Sequence, residues 1–245
     1  MTYTLTTRLI AEFIATAILI ILGNGSVANV ELKGTKGHAS GWLTIAVGYG
    51  MGVMLPAMIF GSISGNHINP AFSIGLAING LFPWAEVGPY IIAQLLGAMF
   101  GQLVVYAIYK PFYDQTENVD PVFGTFSTTD AADSQLNGFL TEFVGSFILF
   151  FSALGITKAP FFANNQGTAH LAIGFVVLVL VASVGGPTGP ALNPARDFGP
   201  RIMHAILPLK YKGSSHWDYA WVPVVAPILG AIVSVFLYKS LFMIG

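Results

Sequence analysis

Apolar residues recur along the whole chain in runs long enough to cross a bilayer, at ~1.5 Å rise per residue over ~30 Å of hydrocarbon. Six such runs are predicted, at Leu9–Val30, Gly41–Phe60, Trp84–Tyr109, Gly138–Thr157, Gly167–Gly185 and Trp217–Lys239. Two further stretches, Asn69–Asn79 and Asn193–Ile206, are too short to span, and each opens on the triplet Asn-Pro-Ala. Asn is a strong N-cap, Pro favours the first helical position and Ala is the best helix former. Asn69-Pro70-Ala71 and Asn193-Pro194-Ala195 therefore predict two helix starts, and the short stretches read as half-helices dipping in from opposite faces. Such ends expose unpaired N–H groups and the positive pole of the helix dipole. Meeting head to head, they would make a polar gate in an apolar wall.

The pattern repeats. Ala11-Glu12-Phe13 precedes one run and Thr141-Glu142-Phe143 another, and Ala93-Gln94-Leu95-Leu96-Gly97-Ala98 matches Ala226-Pro227-Ile228-Leu229-Gly230-Ala231. The paired glutamates, asparagines and six-residue stretches are offset by 130, 124 and 133 residues, in one consistent order. Each half holds three spans, an odd number, so the second half enters from the opposite side and the repeat is inverted. The expected fold is an all-α membrane bundle of six spans and two re-entrant half-helices. Its halves cover about 1–110 and 138–245, and the segment between them, rich in Ser, Thr and Asn with five acids in Lys110–Asn137, reads as an exposed loop over 111–137.

Composition agrees with a polytopic membrane protein. Hydrophobic residues make up 54% of the 245 and charged residues 9%, with mean hydropathy +0.71. A soluble domain carries about 25% charge, so a soluble reading leaves the surface short of ions. A net charge of -1 with 10 Lys+Arg argues against nucleic acid as a partner. Absence of Cys removes disulfides, thiolate catalysis and thiolate metal sites. The His residues lack metal-ligand spacing, and no nucleophile–base pair is visible, so neither a metal, a cofactor nor an enzyme is expected. Arg8, the first apolar run and Ser26-Val27-Ala28 have the outline of a signal peptide. An equivalent run recurs in mid-chain, where cleavage makes no sense, so the first run is read as a span.

With both triplets, the inverted repeat and Asn193-Pro194-Ala195-Arg196-Asp197-Phe198-Gly199-Pro200 in view, the chain resembles the major intrinsic proteins, or aquaporins, over its full length. Asp197 after Arg196, followed by Gly199-Pro200-Arg201, resembles the glycerol-conducting branch, most nearly the bacterial glycerol uptake facilitators. The resemblance implies a single channel domain over 1–245 with the pore inside each protomer. It further implies a homotetramer in the cell membrane, both termini cytoplasmic, and permeants that are small and neutral, glycerol and water above all. Asn69 and Asn193 are then the mid-pore donors. Counting from them, the narrow ring maps to Tyr49, Val181, Pro190 and Arg196. Strict water channels typically place His where Val181 stands. Glycerol facilitators pair Trp and Phe where this chain has Tyr49 and Pro190, so the apolar wedge that grips a glycerol backbone is weakened. Dihydroxyacetone, urea, hydrogen peroxide and protonated lactic acid are compatible with such a ring, as is a pore mainly for water.

The remaining candidates support that pore. Glu12 and Glu142 lie in spans at matched repeat positions, which argues for bracing of the half-helix loops; the competing expectation is a proton-coupled transporter working through them. His67, beside Pro70 and Ala71, is expected to bond its loop, and Pro194 and Ala195 to start the second half-helix. Arg196 cannot be neutralised and presents a fork of donors that repels cations. For Asp197 two roles stay open, counter-ion to Arg196, although adjacent helical residues do not face each other, and fixing of loops or neighbouring subunits, whereas Arg201 reads as headgroup-facing. Gly50, Gly52, Gly97 and Gly230 suit close helix crossings. In the expected orientation the inner segments carry Arg8, Lys158 and Lys239, against Lys33, Lys36, Lys110, Arg201, Lys210 and Lys212 outside, the reverse of the positive-inside bias.

Overall fold

The computed structural model describes residues 3–243, and helices are the sole regular elements among them. They are α1 (Leu5–Glu31), α2 (Trp42–Ser64), α3 (Pro70–Ile78), α4 (Trp84–Tyr113), α5 (Val119–Gly124), α6 (Gln135–Lys158), α7 (Pro160–Ala163), α8 (Gln166–Val184), α9 (Pro194–Ile206) and α10 (Val222–Phe242). Six of these, α1, α2, α4, α6, α8 and α10, are long and apolar enough to cross a membrane. The half-helices α3 and α9 begin where the triplets predict. Asn69 Oδ1 accepts the Ala71 N–H at 3.0 Å, and Asn193 Oδ1 accepts those of Ala195 and Arg196 at 2.9 and 3.3 Å.

Several boundaries differ from the expected spans: α2 runs on to Ser64, α4 to Tyr113, α6 starts at Gln135, and the starts of α1 and α10 move for local reasons. α1 starts at Leu5 because Thr4 caps it, its Oγ1 accepting the Thr7 N–H at 3.2 Å. α10 starts at Val222 because residues 217–221 close as turns, with the Val222 N–H reaching the Tyr219 carbonyl at 2.9 Å. A larger correction concerns 111–137, read as an exposed loop. Its first residues continue α4, its middle forms α5, and Val122, Phe123 and Thr125 to Thr128 are buried. Polar composition misled because Ser127 and Thr128 use their hydroxyls on α9, as described below.

Packing pairs the helices of the two halves alike. α1 lies on α4 as α6 lies on α10, α2 crosses to α8, and each half-helix docks on the other half's last span, α3 on α10 and α9 on α4. The apolar core divides into separate clusters. One holds Tyr49, Ile68, Val177 and Val181, which also line a central cavity, and others lie apart from it. Outward faces of the spans carry exposed Ile10, Leu43, Ile92, Phe100, Leu140, Val179 and Phe236. Such a surface suits hydrocarbon, where apolar groups lose nothing by exposure and packing between helices rests on close approach.

Glycines provide that approach. An added Cβ at Gly230 would stand 2.6 Å from the Phe143 carbonyl oxygen, and one at the matched Gly97 would press on the Phe13 carbonyl. Backbone cannot swing aside as a side chain can. Gly88, also in α4, has nothing within 4 Å of that position. Gly97→Val and Gly230→Val are each expected to cost about 1–3 kcal/mol through overpacking, read as lowered melting temperatures in detergent. Gly88→Ala is expected to leave the melt unchanged or raise it slightly, since Ala outranks Gly in a helix by up to about 1 kcal/mol.

Candidate functional site

The two half-helix ends meet in the middle of the bundle through a crossed pair of hydrogen bonds. Asn69 Nδ2 donates to the Leu192 carbonyl at 2.8 Å, and Asn193 Nδ2 donates to the Ile68 carbonyl at 2.7 Å. Each asparagine thus caps its own helix with Oδ1 and ties the opposite loop with one N–H. An amide carries two N–H donors, so one remains on each. Both residues line a cavity of about 150 Å³.

The loops entering these ends adopt backbone conformations that side chains rarely take. Ile68 has φ of 44° and Leu192 of 52°. A β-branched residue in that region is a steric outlier and persists only where its surroundings over-determine it. Here both faces of each residue are pinned. Glu12 accepts from the N–H groups of His67 and Ile68 at 2.9 and 2.7 Å, from Ser64 Oγ at 2.6 Å and from Gln94 Nε2 at 2.9 Å. Glu142 accepts from the N–H groups of Ala191 and Leu192 at 2.9 and 2.7 Å and from Thr188 Oγ1 at 2.8 Å. The fourth donor is missing there because Pro227 stands where the repeat would put a glutamine. Both carboxylates are fully buried and neither borders the cavity. His67 lies at the cavity edge, its Nδ1 bonded to Ser73 Oγ at 2.9 Å and its ring packed among Phe72, Phe82 and Tyr90.

Fixing the loops leaves a row of backbone acceptors. Among the described residues no donor reaches the carbonyls of Gly65, Asn66 and His67, or those of Gly189, Pro190 and Ala191. These segments line the path on either side of the crossed asparagines. Val53, Phe72, Leu149 and Val177 supply apolar wall to the same cavity.

Tyr49, Val181, Pro190 and Arg196, far apart in sequence, come together at one end of this cavity. Tyr49, Pro190 and Arg196 also line a second, outer cavity of about 400 Å³, so they stand at the boundary between the two. The Arg196 guanidinium lies 4.9 Å from the centre of the Tyr49 ring. Its Nη2 donates to the Tyr49 hydroxyl, its Nη1 donates to the Phe126 carbonyl at 3.2 Å, and its Nε has no partner among the described residues. Trp42 donates its indole N–H to the Val181 carbonyl at 2.8 Å, holding the end of α8.

Asp197 does not touch Arg196. Its Oδ1 receives Arg201 Nε at 2.9 Å and Nη2 at 2.7 Å, and its Oδ2 receives the N–H and Oγ1 of Thr128 at 2.8 and 2.7 Å. Ser127 Oγ donates to the Asp197 carbonyl at 2.9 Å. These bonds hold the 125–128 segment over α9 and place the Phe126 carbonyl on Arg196. Arg201 is therefore not headgroup-facing, as its position had suggested. It is fully buried, with its remaining donors on the carbonyls of Thr128, Ser215 and His216, each at 2.8 Å. Its removal from the outer charges weakens the apparent reversal of the positive-inside bias. Phe126, Asn24 and Gln102 were missed in the sequence, although two uncharged polar residues inside apolar spans are a readable signal.

Comparison with known proteins gives this geometry its context. Residues 1–238 match the family described as Major intrinsic protein. The chain belongs to that family. It is similar to the Glycerol uptake facilitator protein-like 5 of Lactiplantibacillus plantarum, 56% identical over 96% of each chain. It is also similar to the Glycerol facilitator-aquaporin gla of Lactococcus lactis subsp. lactis, 49% identical over 99% of this chain and 100% of that one. Among solved structures, the aquaglyceroporin from Plasmodium falciparum matches with a TM-score of 0.86 at 29% identity, covering 97% of both. The protein is an integral membrane member of a family of passive channels, not enzymes, and its fold is the aquaporin fold.

Two predictions concern the frame of the site. Arg201→Met strands the Asp197 carboxylate and is expected to cost about 3–5 kcal/mol, with part recovered in Asp197→Asn/Arg201→Met; thermal melts in detergent read both. His204, at the end of α9, is buried, bonded to Ser215 Oγ at 2.8 Å and edge-on to Phe123 and Phe126. Burial, with nearby Lys212, Arg201 and His216, pushes its pKa down to about 4. The unfolded chain binds this proton more readily, so the stability His204 contributes is complete above about pH 6.5 and is lost as pH falls toward 4. The melting temperature of His204→Gln should fall less between pH 7 and 5 than that of the wild type.

Proposed function

We propose that the chain forms a passive pore for glycerol and other small uncharged solutes, with water, in the cell membrane, and that both termini lie on the cytoplasmic side. The observation that carries this reading is the ring of Tyr49, Val181, Pro190 and Arg196 at the boundary of two cavities, with the spare N–H groups of Asn69 and Asn193 below it. Names of the similar proteins supply the solute class: one is called a glycerol uptake facilitator-like protein and another a glycerol facilitator-aquaporin.

The path is amphipathic along its length. Donors from Arg196 and the asparagines and acceptors from the loop carbonyls replace the water that a hydroxyl loses on entering. Val53, Leu149, Val177 and Val181 face the C–H surface that a polyol must also desolvate. A molecule with hydroxyls along one edge and carbon along the other loses little on transfer, whereas an ion loses its hydration without an equivalent. Cations meet the Arg196 charge and then the positive ends of α3 and α9, which repel hydronium as well. At the crossed asparagines two fixed donors orient a passing oxygen with its lone pairs toward both, which interrupts a proton wire. Bracing of the loops by Glu12 and Glu142 keeps that geometry. Family membership supports a homotetramer with one pore in each protomer.

Stopped-flow light scattering on proteoliposomes tests the reading. Wild type should conduct glycerol and water. Val181→His narrows the ring and adds a polar group, and should cut glycerol flux about tenfold, equivalent to about 1.4 kcal/mol of barrier, with water flux largely kept. Water flux without glycerol flux in the wild type would make this a water channel. Uphill accumulation driven by a pH gradient would make it a coupled transporter.

A further inference from the structure

Behind the ring lies a buried polar cluster that is not part of the pore wall. Asn24 of α1 and Gln102 of α4 are both fully buried inside spans. A buried primary amide is costly unless its donors and acceptor are met. Asn24 meets all of them. Its Oδ1 accepts the Tyr49 hydroxyl proton at 2.6 Å, and its Nδ2 donates to Gln102 Oε1 at 2.6 Å and to the Phe126 carbonyl at 3.1 Å. Tyr49 and Phe126 are the two groups that hold the Arg196 guanidinium. Asn24, Tyr49, Arg196 and the Phe126 carbonyl therefore close a ring of hydrogen bonds drawn from α1, α2, α9 and the 125–128 segment.

The directions within this ring are determined. A flipped Asn24 would set its oxygen against the Phe126 carbonyl and its NH2 against the tyrosine proton. The Phe126 carbonyl can only accept, so the amide is held in one orientation. A phenol has one proton to give. Since that proton goes to Asn24, the lone pairs of Tyr49 face Arg196 and its O–H points away from the lumen. Gln102 secures the arrangement by accepting from Asn24, while its own Nε2 lies toward the Tyr113 hydroxyl without a hydrogen bond of full geometry.

We propose that Asn24 is a positioning residue for selectivity. By taking the Tyr49 proton it keeps that hydroxyl from donating into the pore and fixes how the Arg196 guanidinium is turned toward the permeant. The ring then shows the permeant the aromatic face of Tyr49 and the donors of Arg196, a combination suited to a polyol. Without Asn24 the hydroxyl proton has no acceptor behind it and turns toward the lumen. There it adds a donor and lets Arg196 shift from its place. This inference rests on the ring being the filter.

Four proteins are compared by stopped-flow in proteoliposomes, with glycerol and water permeabilities measured on each: wild type, Asn24→Val, Tyr49→Phe and the Tyr49→Phe/Asn24→Val double variant. Asn24→Val is expected to lower the glycerol-to-water permeability ratio about three- to tenfold. In the Tyr49→Phe background, where no hydroxyl needs orienting, the same substitution should change that ratio less than twofold. A merely structural role would lower the amount of folded protein, and both fluxes together, without moving the ratio. Should Asn24→Val fail to fold, Gln102→Ala, which loosens Asn24 without removing it, is expected to move the ratio the same way by a smaller factor. An unchanged ratio in a folded variant, or an equal change in both tyrosine and phenylalanine backgrounds, overturns the proposal. Val181→His in the same series separates the two readings. If it moves the ratio and Asn24→Val does not, the positioning role fails alone; if neither moves it, the ring is not the filter and both fail.

Discussion

Two helices end in the middle of this protein's bundle, and most of the structure answers the question of what receives their ends. In hydrocarbon an unmet N–H or carbonyl costs several kcal/mol, so non-helical backbone at that depth survives only where protein or a polar path meets it. The crossed bonds from Asn69 to Leu192 and from Asn193 to Ile68 meet part of the need and join the halves. Glu12 and Glu142 meet another part from behind. What is left over, one N–H on each asparagine and a row of carbonyls, belongs to residues that line the cavities. The polarity along the cavity is thus what the bonding of the half-helix loops leaves over.

Much of the fold was legible because its constraints are local or periodic. Length and apolarity located the spans, the cap preferences of Asn, Pro and Ala located both half-helix starts, and the matched glutamates and glycines pointed to a repeat. The ring residues could be counted only through resemblance, since nothing in Tyr49 or Val181 taken alone marks them as neighbours of Arg196. What stayed hidden was long-range satisfaction. Arg201 looks like an interfacial cation until Asp197 and three carbonyls are seen around it. The 125–128 segment looks like surface loop because its Ser and Thr are polar. Those same hydroxyls bond Asp197 and bury the segment.

That segment links the two scales of the molecule. Asp197 is on the same half-helix as Arg196 yet acts on it indirectly, by holding the backbone whose Phe126 carbonyl receives the guanidinium. A charge pair that lines neither cavity therefore holds the backbone that receives a charge lining both. Buried ion pairs are weak contributors to stability when both partners must be desolvated, but they hold direction well when every remaining donor and acceptor is met. Here Arg201 and Asp197 are met on all sides, which suits a part whose task is orientation.

The same logic explains why a tyrosine can stand in the ring at all. A hydroxyl bordering a narrow pore is a competing donor unless it is occupied, and a tryptophan or phenylalanine would not need occupying. Choosing Tyr49 therefore requires an acceptor behind it, an acceptor amide requires partners for its own N–H groups, and Gln102 and the Phe126 carbonyl are those partners. One polar atom at the ring draws a chain of polar residues back through α1 and α4, where apolar packing would otherwise be cheapest. Residues that tune such a pore need not touch its contents, and they are found by following unmet hydrogen bonds outward from those that do.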